Sequence, residues 1–134
     1  MGSSNDRRTS DAWFELAASS KEAADRLTLD HPRSFISRLY YAMFAQAHAL
    51  LLHEGLTPRS GMGTWSHEML PGLIRRHLPG RDGDRDRHTL SRALRRGYQR
   101  RLLADYNPAI SVTKEEAVAQ LRDVSVLLEI QKSD

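Results

Sequence analysis

The sequence predicts an all-α fold, an up-and-down bundle of four long helices and one short, broken helix. Apolar residues recur at helical spacing in several long segments, and glycine, proline and capping residues separate these segments. No segment has the apolar–polar alternation that is typical of a β-strand. The length of 134 residues suits one domain. We expect this domain to cover residues 11–131, after a disordered tail at residues 1–10.

The first two helices are predicted from their ends and their apolar faces. Ser10 or Asp11 is a suitable N-cap for a first helix that ends near residue 29. The second helix is expected over residues 33–54, and Gly55 is well suited to the left-handed conformation that follows a helix. Apolar residues surround this second helix almost completely, which is typical of the central helix of a bundle.

The second half of the chain contains three further helical segments. The third helix is predicted over residues 65–78, with a break at Pro71 because proline interrupts a helix interior. The fourth covers residues 88–105 and follows a stretch without apolar residues, which indicates an exposed loop or a polar helix start. Thr113 and Glu116 have the spacing of a capping box and predict a fifth helix that ends near residue 130.

The composition excludes several classes of site. The chain has no cysteine, so it has no disulfide, catalytic thiol or thiolate metal site. The histidines lack the spacing of a zinc-binding helix, and no glycine-rich phosphate loop is present, so we expect neither metal nor cofactor. No apolar run approaches the ~20 residues of a membrane span. We therefore expect a cytoplasmic protein that does not contact membranes.

The basic residues are concentrated in one segment. The whole chain has a net charge of +3, whereas residues 75–101 contain ten arginines and three aspartates, a local charge of +7. Arginine binds phosphate through paired hydrogen bonds, so this segment favours a polyanion or a nucleotide as ligand. A solvated arginine-rich surface explains the same pattern equally well.

Several polar residues lie on the otherwise apolar surface of the second helix. With ~100° per residue, one sector of the second helix contains several polar groups. These residues are Ser34, Ser37, Arg38, Tyr41 and His48. They line a cleft or an interface, or they form an internal hydrogen-bonded network, because unpaired buried polar groups are costly.

The fourth helix has an arginine-rich face and an apolar face. The first, expected to contact solvent or a partner, consists of Arg92, Arg95, Arg96, Gln99 and Arg100. Arg101 projects from the apolar side, with Asp105 one turn later. Arg101 is therefore either paired with Asp105 or another acid, or held in a cleft to bind phosphate.

Two strings stand in a fixed order in the chain: S-R-L-Y-Y-A-M-F at residues 37–44 and R-L-L-A-D-Y at 101–106, followed by T-K-E-E-A at 113–117. Together they resemble the small prokaryotic members of the HEPN family (higher eukaryotes and prokaryotes nucleotide-binding). The resemblance covers residues 11–131. It implies an α-helical bundle that forms a homodimer, with its motifs across a shared cleft. Active members are metal-independent endoribonucleases with an R-x(4–6)-H motif. Many are encoded beside a minimal nucleotidyltransferase as toxin–antitoxin pairs, and some have a tyrosine near the motif modified with AMP.

The resemblance transfers to individual residues only in part. The motif arginine corresponds to Arg101, but Asn107 stands at the spacing of the histidine. Asparagine can form hydrogen bonds but cannot transfer a proton near neutral pH. His48, on the polar sector of the second helix, is the nearest candidate for a substitute base. Asp105 and Tyr106 are expected to orient or pack the motif, and Tyr106 is also the tyrosine nearest to it. The residues expected to bind RNA or phosphate are Arg38, Tyr41, Arg95, Arg96 and Arg101.

Three functions stay open at this point. The first is a HEPN-type homodimer that binds RNA or nucleotide with little or no catalysis. The second is an active endoribonuclease toxin that uses a substitute base. The third is a purely structural protein-interaction module. We favour the first and third in combination, as part of a toxin–antitoxin or defence pair with a nucleotidyltransferase partner.

Overall fold

A computed structural model describes residues 4–27, 31–59, 63–78, 85–109 and 111–129 of the chain. These residues form five helices and no strand, which confirms the all-α prediction. The helices are α1 (Ser4–Asp25), α2 (Pro32–His53), α3 (Leu70–His77), α4 (Arg85–Tyr106) and α5 (Lys114–Leu128). Among these residues, no helix combines the length and the apolarity that a membrane crossing requires.

Helix α2 is the centre of the bundle, as its apolar surface predicts. It packs against each of the other helices, and every residue from Ala42 to Leu52 is buried. The Ser10 hydroxyl donates to the Ala49 carbonyl, so the start of α1 lies against the end of α2. Cross-helix contacts, from Arg33 on α2 to Ala104 on α4 and from Arg96 and Arg100 on α4 to Asp123 and Gln120 on α5, show that consecutive long helices run antiparallel.

Gly97 lets α4 approach α2 closely. A Cβ atom at this position would lie 2.6 Å from Sδ of the fully buried Met43. The Gly97 carbonyl also accepts a hydrogen bond from Nε2 of Gln120 on α5, at 3.1 Å. The absence of a side chain thus allows three helices to meet at the level of the candidate site.

Helix α1 differs from its prediction at both ends. Its backbone is helical from Ser4, within the stretch that the sequence predicts as a tail, and residues 1–3 lie outside the described part. Ser10 is buried inside the helix, bonded to α2, and does not cap its start. The helix ends at Asp25, a few residues before the predicted end.

Helices α3 and α4 also begin at other residues than predicted. Pro71 lies in the first turn of α3 and does not break it, since a first-turn residue needs no intrahelical N–H donor. The backbone before Leu70 forms a turn, so the predicted helix over 65–78 is wrong in its first part. Helix α4 begins at Arg85, which agrees with a polar helix start; residues 79–84 are outside the described part.

The predicted ends of α2 and α5 are confirmed in their main features. Gly55 has a φ of 92° directly after α2, the left-handed conformation expected there. The Thr113 hydroxyl accepts a hydrogen bond from the Glu116 N–H at 3.2 Å and caps α5. In contrast to a reciprocal capping box, Oε1 of Glu116 accepts from the Thr113 hydroxyl, at 3.4 Å.

Candidate functional site

The side chains of Arg101 and His67 meet beside the central helix. Nη1 of Arg101, on α4, lies 3.4 Å from Nε2 of His67, in the turn before α3. The other ring nitrogen of His67, Nδ1, lies 2.8 Å from the hydroxyl oxygen of Tyr40 on α2. An arginine, a histidine and a tyrosine from three parts of the chain thus form one continuous polar chain.

Aromatic rings hold the imidazole of His67 in place. The His67 and Tyr98 rings are stacked, with centroids 4.9 Å apart and planes within 8° of parallel. The Phe44 ring centroid lies 4.6 Å from that of His67. The Tyr98 hydroxyl donates to Oε1 of Glu68 at 3.2 Å. This bond connects Tyr98, on α4, to the residue that follows His67.

The surroundings keep both His67 and Tyr40 uncharged. Burial lowers the pKa of His67 below its ordinary value of 6.5, and the Arg101 guanidinium lowers it further, while Glu68 acts in the opposite direction. Burial raises the pKa of the Tyr40 hydroxyl well above its ordinary value of 10.0, although Arg101 opposes this shift. At neutral pH, Arg101 therefore contacts an uncharged imidazole.

Asp105 and Ser37 orient the guanidinium of Arg101. Nε of Arg101 donates to Oδ2 of Asp105 at 3.1 Å, and the Ser37 hydroxyl donates to the same oxygen at 3.1 Å. The ion pair between Arg101 and Asp105, one of the two alternatives from the sequence, is confirmed. Asp105 accepts from Nε, and the Arg101 side chain is 24% exposed, so part of the guanidinium is accessible.

Two exposed tyrosines border the cluster that Arg101, His67 and Tyr40 form. The ring of Tyr106 is 6.0 Å from the Arg101 guanidinium, and Tyr106 is 68% exposed. Tyr41 is 46% exposed and stacks on Phe44, which itself contacts His67. Tyr106, the last residue of α4, is therefore mostly exposed, and its contact with the motif is the one with Arg101.

His48 lies elsewhere in the core and has a structural arrangement. It is fully buried, and its Nε2 accepts a hydrogen bond from the Trp65 N–H at 3.0 Å. Its Nδ1 therefore carries the proton and donates to the Phe44 carbonyl at 2.9 Å. Burial lowers the pKa of His48. The structure does not bring His48 to Arg101, and both ring nitrogens are already used.

Asn107 contributes its backbone to the fold. Its carbonyl accepts from Nη1 of Arg33 at 3.3 Å, and the same guanidinium binds the carbonyls of Leu103 and Ala104 at the end of α4. No hydrogen bond joins the side chains of Asn107 and Arg101. The histidine beside Arg101 is His67. His67 comes 34 residues before Arg101 in the sequence, so it does not have the R-x(4–6)-H spacing.

The arginine-rich face of α4 is divided between the interior and the surface. Arg96 donates from Nε and Nη2 to Asp123 on α5, at 3.2 and 2.8 Å. Nη1 of Arg100 lies 2.6 Å from Asp123 and 3.0 Å from Oε1 of Gln120. Arg100 is largely buried, so its predicted exposure to solvent or a partner is wrong. Its inward direction arises because the acid that attracts it lies on the neighbouring helix.

Asp123 is ionised in this network. Burial by itself raises the pKa of its carboxyl group, but hydrogen bonds from Arg96 and Arg100 outweigh burial and lower it below 3.8. The bond to Asp123 correspondingly raises the pKa of Arg96. Of the residues expected to bind RNA, Arg96 is thus engaged in an ion pair, whereas Arg38 and Arg95 are exposed.

Sequence reasoning missed His67, Tyr40, Tyr98 and Glu68 as members of the cluster. Tyr40 belongs to the string at residues 37–44, so its position was a usable signal. His67 had no such signal, because its contact with Arg101 joins residues 34 positions apart. Among the residues that the structure describes, no group of three or more histidine and acidic side chains is arranged to hold a metal ion.

Neither models of known protein families nor a search of curated proteins yields a match to this chain. What the fold and the cluster define directly is an all-helical protein in which an oriented arginine adjoins a neutral histidine.

Proposed function

We propose that this chain is a HEPN-type protein that binds the phosphate of RNA or of a nucleotide at Arg101. One observation carries the proposal: Asp105 orients the guanidinium, and Nη2 has no hydrogen-bond partner among the described residues. A guanidinium fixed through Nε presents its remaining N–H groups in the planar geometry that suits two phosphate oxygens. The neutral state of His67 leaves Arg101 as the positive group of the cluster.

The surroundings of Arg101 favour RNA over an isolated phosphate ion. Tyr106 and Tyr41 are exposed beside the cluster, and exposed aromatic rings stack with unpaired bases. Arg38 on α2 and Arg95 on α4 are exposed and add positive charge to the surface. A polynucleotide can contact the Arg101 guanidinium and an exposed aromatic ring beside it at once.

A homodimer is part of the same proposal. Large apolar side chains are exposed on α2, α4 and α5 and in the turn before α3, and exposed apolar side chains are typical of a surface that a partner covers. They are Tyr41, Met69, Leu102, Leu103, Tyr106 and Val118. Sedimentation of the wild type against a Leu102→Asp variant tests this point, and we expect the variant to be monomeric.

Endoribonuclease activity is a second candidate function, and His67 is the observation that favours it. A neutral imidazole can accept the proton of a ribose 2′-hydroxyl. The 2′-oxygen then attacks the adjacent phosphorus, and the bond to the 5′-oxygen breaks. That oxygen takes a proton from water, and His67 returns the proton that it accepted to solvent. The products are a 2′,3′-cyclic phosphate and a free 5′-hydroxyl. Arg101 would stabilise the negative charge that develops on the phosphate.

The partner in this proposal is a minimal nucleotidyltransferase, in a toxin–antitoxin or defence pair. Its support is the resemblance of residues 37–44 and 101–106 to HEPN proteins. Co-expression of this chain with the product of an adjacent nucleotidyltransferase gene tests it, and we expect the two to purify together. If they purify separately, this component of the proposal fails.

RNA binding is tested by fluorescence anisotropy with a labelled RNA of about 12 nucleotides. We expect Arg101→Ala to weaken binding about tenfold, ~1.4 kcal/mol. The slope of the logarithm of the binding constant against the logarithm of the salt concentration should be shallower in this variant by roughly 0.7, the value for one phosphate contact on a single strand. Arg122→Ala is the matched control, since Arg122 is an exposed arginine of α5, a helix that contributes no side chain to the described contacts of Arg101 and His67. Equal affinities of the wild type and both variants would contradict the proposal.

Cleavage is tested with the same RNA in the presence of EDTA. We expect the wild type to release a cyclic phosphate, and both His67→Ala and Arg101→Ala to lose this activity. If purified wild type binds the RNA without cleaving it, the binding function stands and the nuclease function is wrong.

A further inference from the structure

We propose that Tyr40 and Tyr98 are positioning residues that fix His67 in one tautomer, with the proton on Nδ1 and the lone pair of Nε2 facing the phosphate held by Arg101. The role of this lone pair toward RNA rests on the proposed function. The tautomer itself rests only on the geometry of the cluster.

The contact with Arg101 indicates which ring nitrogen carries the proton. A guanidinium has only hydrogen-bond donors, so Nε2 of His67 must be the acceptor in the 3.4 Å contact. A neutral imidazole has one proton, which then lies on Nδ1 and is donated to the Tyr40 oxygen at 2.8 Å. The opposite tautomer would direct an N–H group at the guanidinium N–H groups.

Tyr40 is a fixed acceptor for this proton. The residue is 1% exposed, and its ring packs against those of Tyr98 and Phe44, with centroids 5.6 and 6.4 Å away. The backbone of α2 therefore determines where the hydroxyl oxygen lies. A hydrogen bond to the far nitrogen is the usual way in which proteins select the reactive nitrogen of a histidine.

Tyr98 fixes the plane of the imidazole. Its ring is nearly parallel to that of His67, and its own hydroxyl is bound by Glu68. Since Phe44 also contacts the imidazole, rotation of the His67 ring would have to displace aromatic side chains of both α2 and α4. The ring is therefore presented to Arg101 in a single orientation.

The arrangement leaves Nε2 available once an anion occupies Arg101. The 3.4 Å separation is longer than the 2.7–3.2 Å that is common for hydrogen bonds, so the contact is weak. A phosphate that takes the Nη groups would replace it, and Nε2 would then face the ligand. The titratable groups around His67 come from its own turn and from α2 and α4: Glu68, Tyr40, Tyr98 and Arg101. His48 is also close enough to interact with His67 electrostatically.

Long-range proton–nitrogen NMR of the full chain, with ¹⁵N-labelled histidine near neutral pH, reads the tautomer directly. In the wild type we expect His67 Nδ1 to have the shift of a protonated nitrogen and Nε2 that of an unprotonated one. The reverse assignment in the wild type overturns the proposal, and this result requires no variant to fold.

Variants test the two tyrosines separately. Tyr40→Phe should move the two His67 nitrogen shifts toward each other or exchange them, whereas Tyr41→Phe should leave them unchanged. Tyr98→Leu should broaden the His67 ring signals, and Tyr98→Phe, which keeps the stacking, should not. If Tyr40→Phe keeps the wild-type shifts, or Tyr98→Leu keeps sharp signals, the positioning role of that tyrosine is wrong.

RNA affinity measured on the same samples separates this inference from the proposed function. The predicted tautomer without RNA binding would refute the proposed function and support the positioning of His67. RNA binding together with a proton on Nε2 would support the proposed function and refute the positioning.

Discussion

Nη1 of Arg33, at the start of α2, lies 2.8 Å from the carbonyl oxygen of Ala104, near the end of α4. The same nitrogen also lies within 3.3 Å of the Leu103 and Asn107 carbonyls. These carbonyls have no intrahelical partners, so a cation here satisfies them and interacts favourably with the helix dipole. The contact holds the turn of α4 that carries Arg101 and Asp105.

We expect Arg33→Met to lower the free energy of unfolding by about 1–2 kcal/mol, since the carbonyls at the end of α4 lose their donor. Arg38→Met, at an exposed position of the same helix, is the control and should change it by less than about 0.5 kcal/mol. Urea denaturation measures both. Equal stability of the two variants would show that Arg33 does not stabilise the end of α4.

Asp123→Asn should destabilise the bundle by about 2 kcal/mol, because Arg96 and Arg100 lose an ionised acceptor that is almost fully buried. Glu115→Gln, an exposed position of α5, serves as the control. The lowered pKa of Asp123 adds stability that is present above pH 3.8 and lost as the pH falls below it. The variant should therefore lose less stability than the wild type between about pH 5 and pH 3. An unchanged acid dependence in Asp123→Asn contradicts this.

The lowered pKa of His48 predicts that the protein loses stability in mild acid. The unfolded chain takes up a proton near pH 6.5, whereas the folded chain resists it because burial disfavours the charged ring. The neutral His48 therefore contributes to the free energy of unfolding in full above pH 6.5. This contribution decreases as the pH falls below 6.5, by at most about 1.4 kcal/mol per pH unit.

Urea denaturation at about pH 8 and pH 5.5 measures this loss. His48→Gln should reduce the difference between the two pH values, whereas His88→Gln, at an exposed position of α4, should not. A larger or equal difference in His48→Gln would mean that another group causes the acid dependence.

The helices were predictable because their signals are local. Gly55 after α2 and Thr113 before α5 act on neighbouring backbone groups, so the sequence around them is sufficient. The start of α1 was not predictable in this way. Ser10 resembles a cap, but its hydroxyl bonds to Ala49, 39 residues away, and such a contact exists only in the folded bundle.

The candidate site was predictable only where it depends on one helix. Asp105 lies one turn after Arg101, and their ion pair follows from helical spacing. The contact of Arg101 with His67 depends on how the turn before α3 packs against α2 and α4. No spacing rule within the sequence describes that packing, so the sequence indicates His48 and not His67 as the base.

The most direct test of the central claim is an NMR titration of the ¹⁵N-labelled protein with an RNA of about 12 nucleotides. If RNA phosphate binds at Arg101, the Nε–Hε signal of Arg101 and the ring signals of His67 should shift together and reach saturation with one dissociation constant. The Nε–Hε signal of Arg122 should stay in place. RNA binding that leaves the Arg101 and His67 signals unmoved, or no binding at all, would contradict the claim.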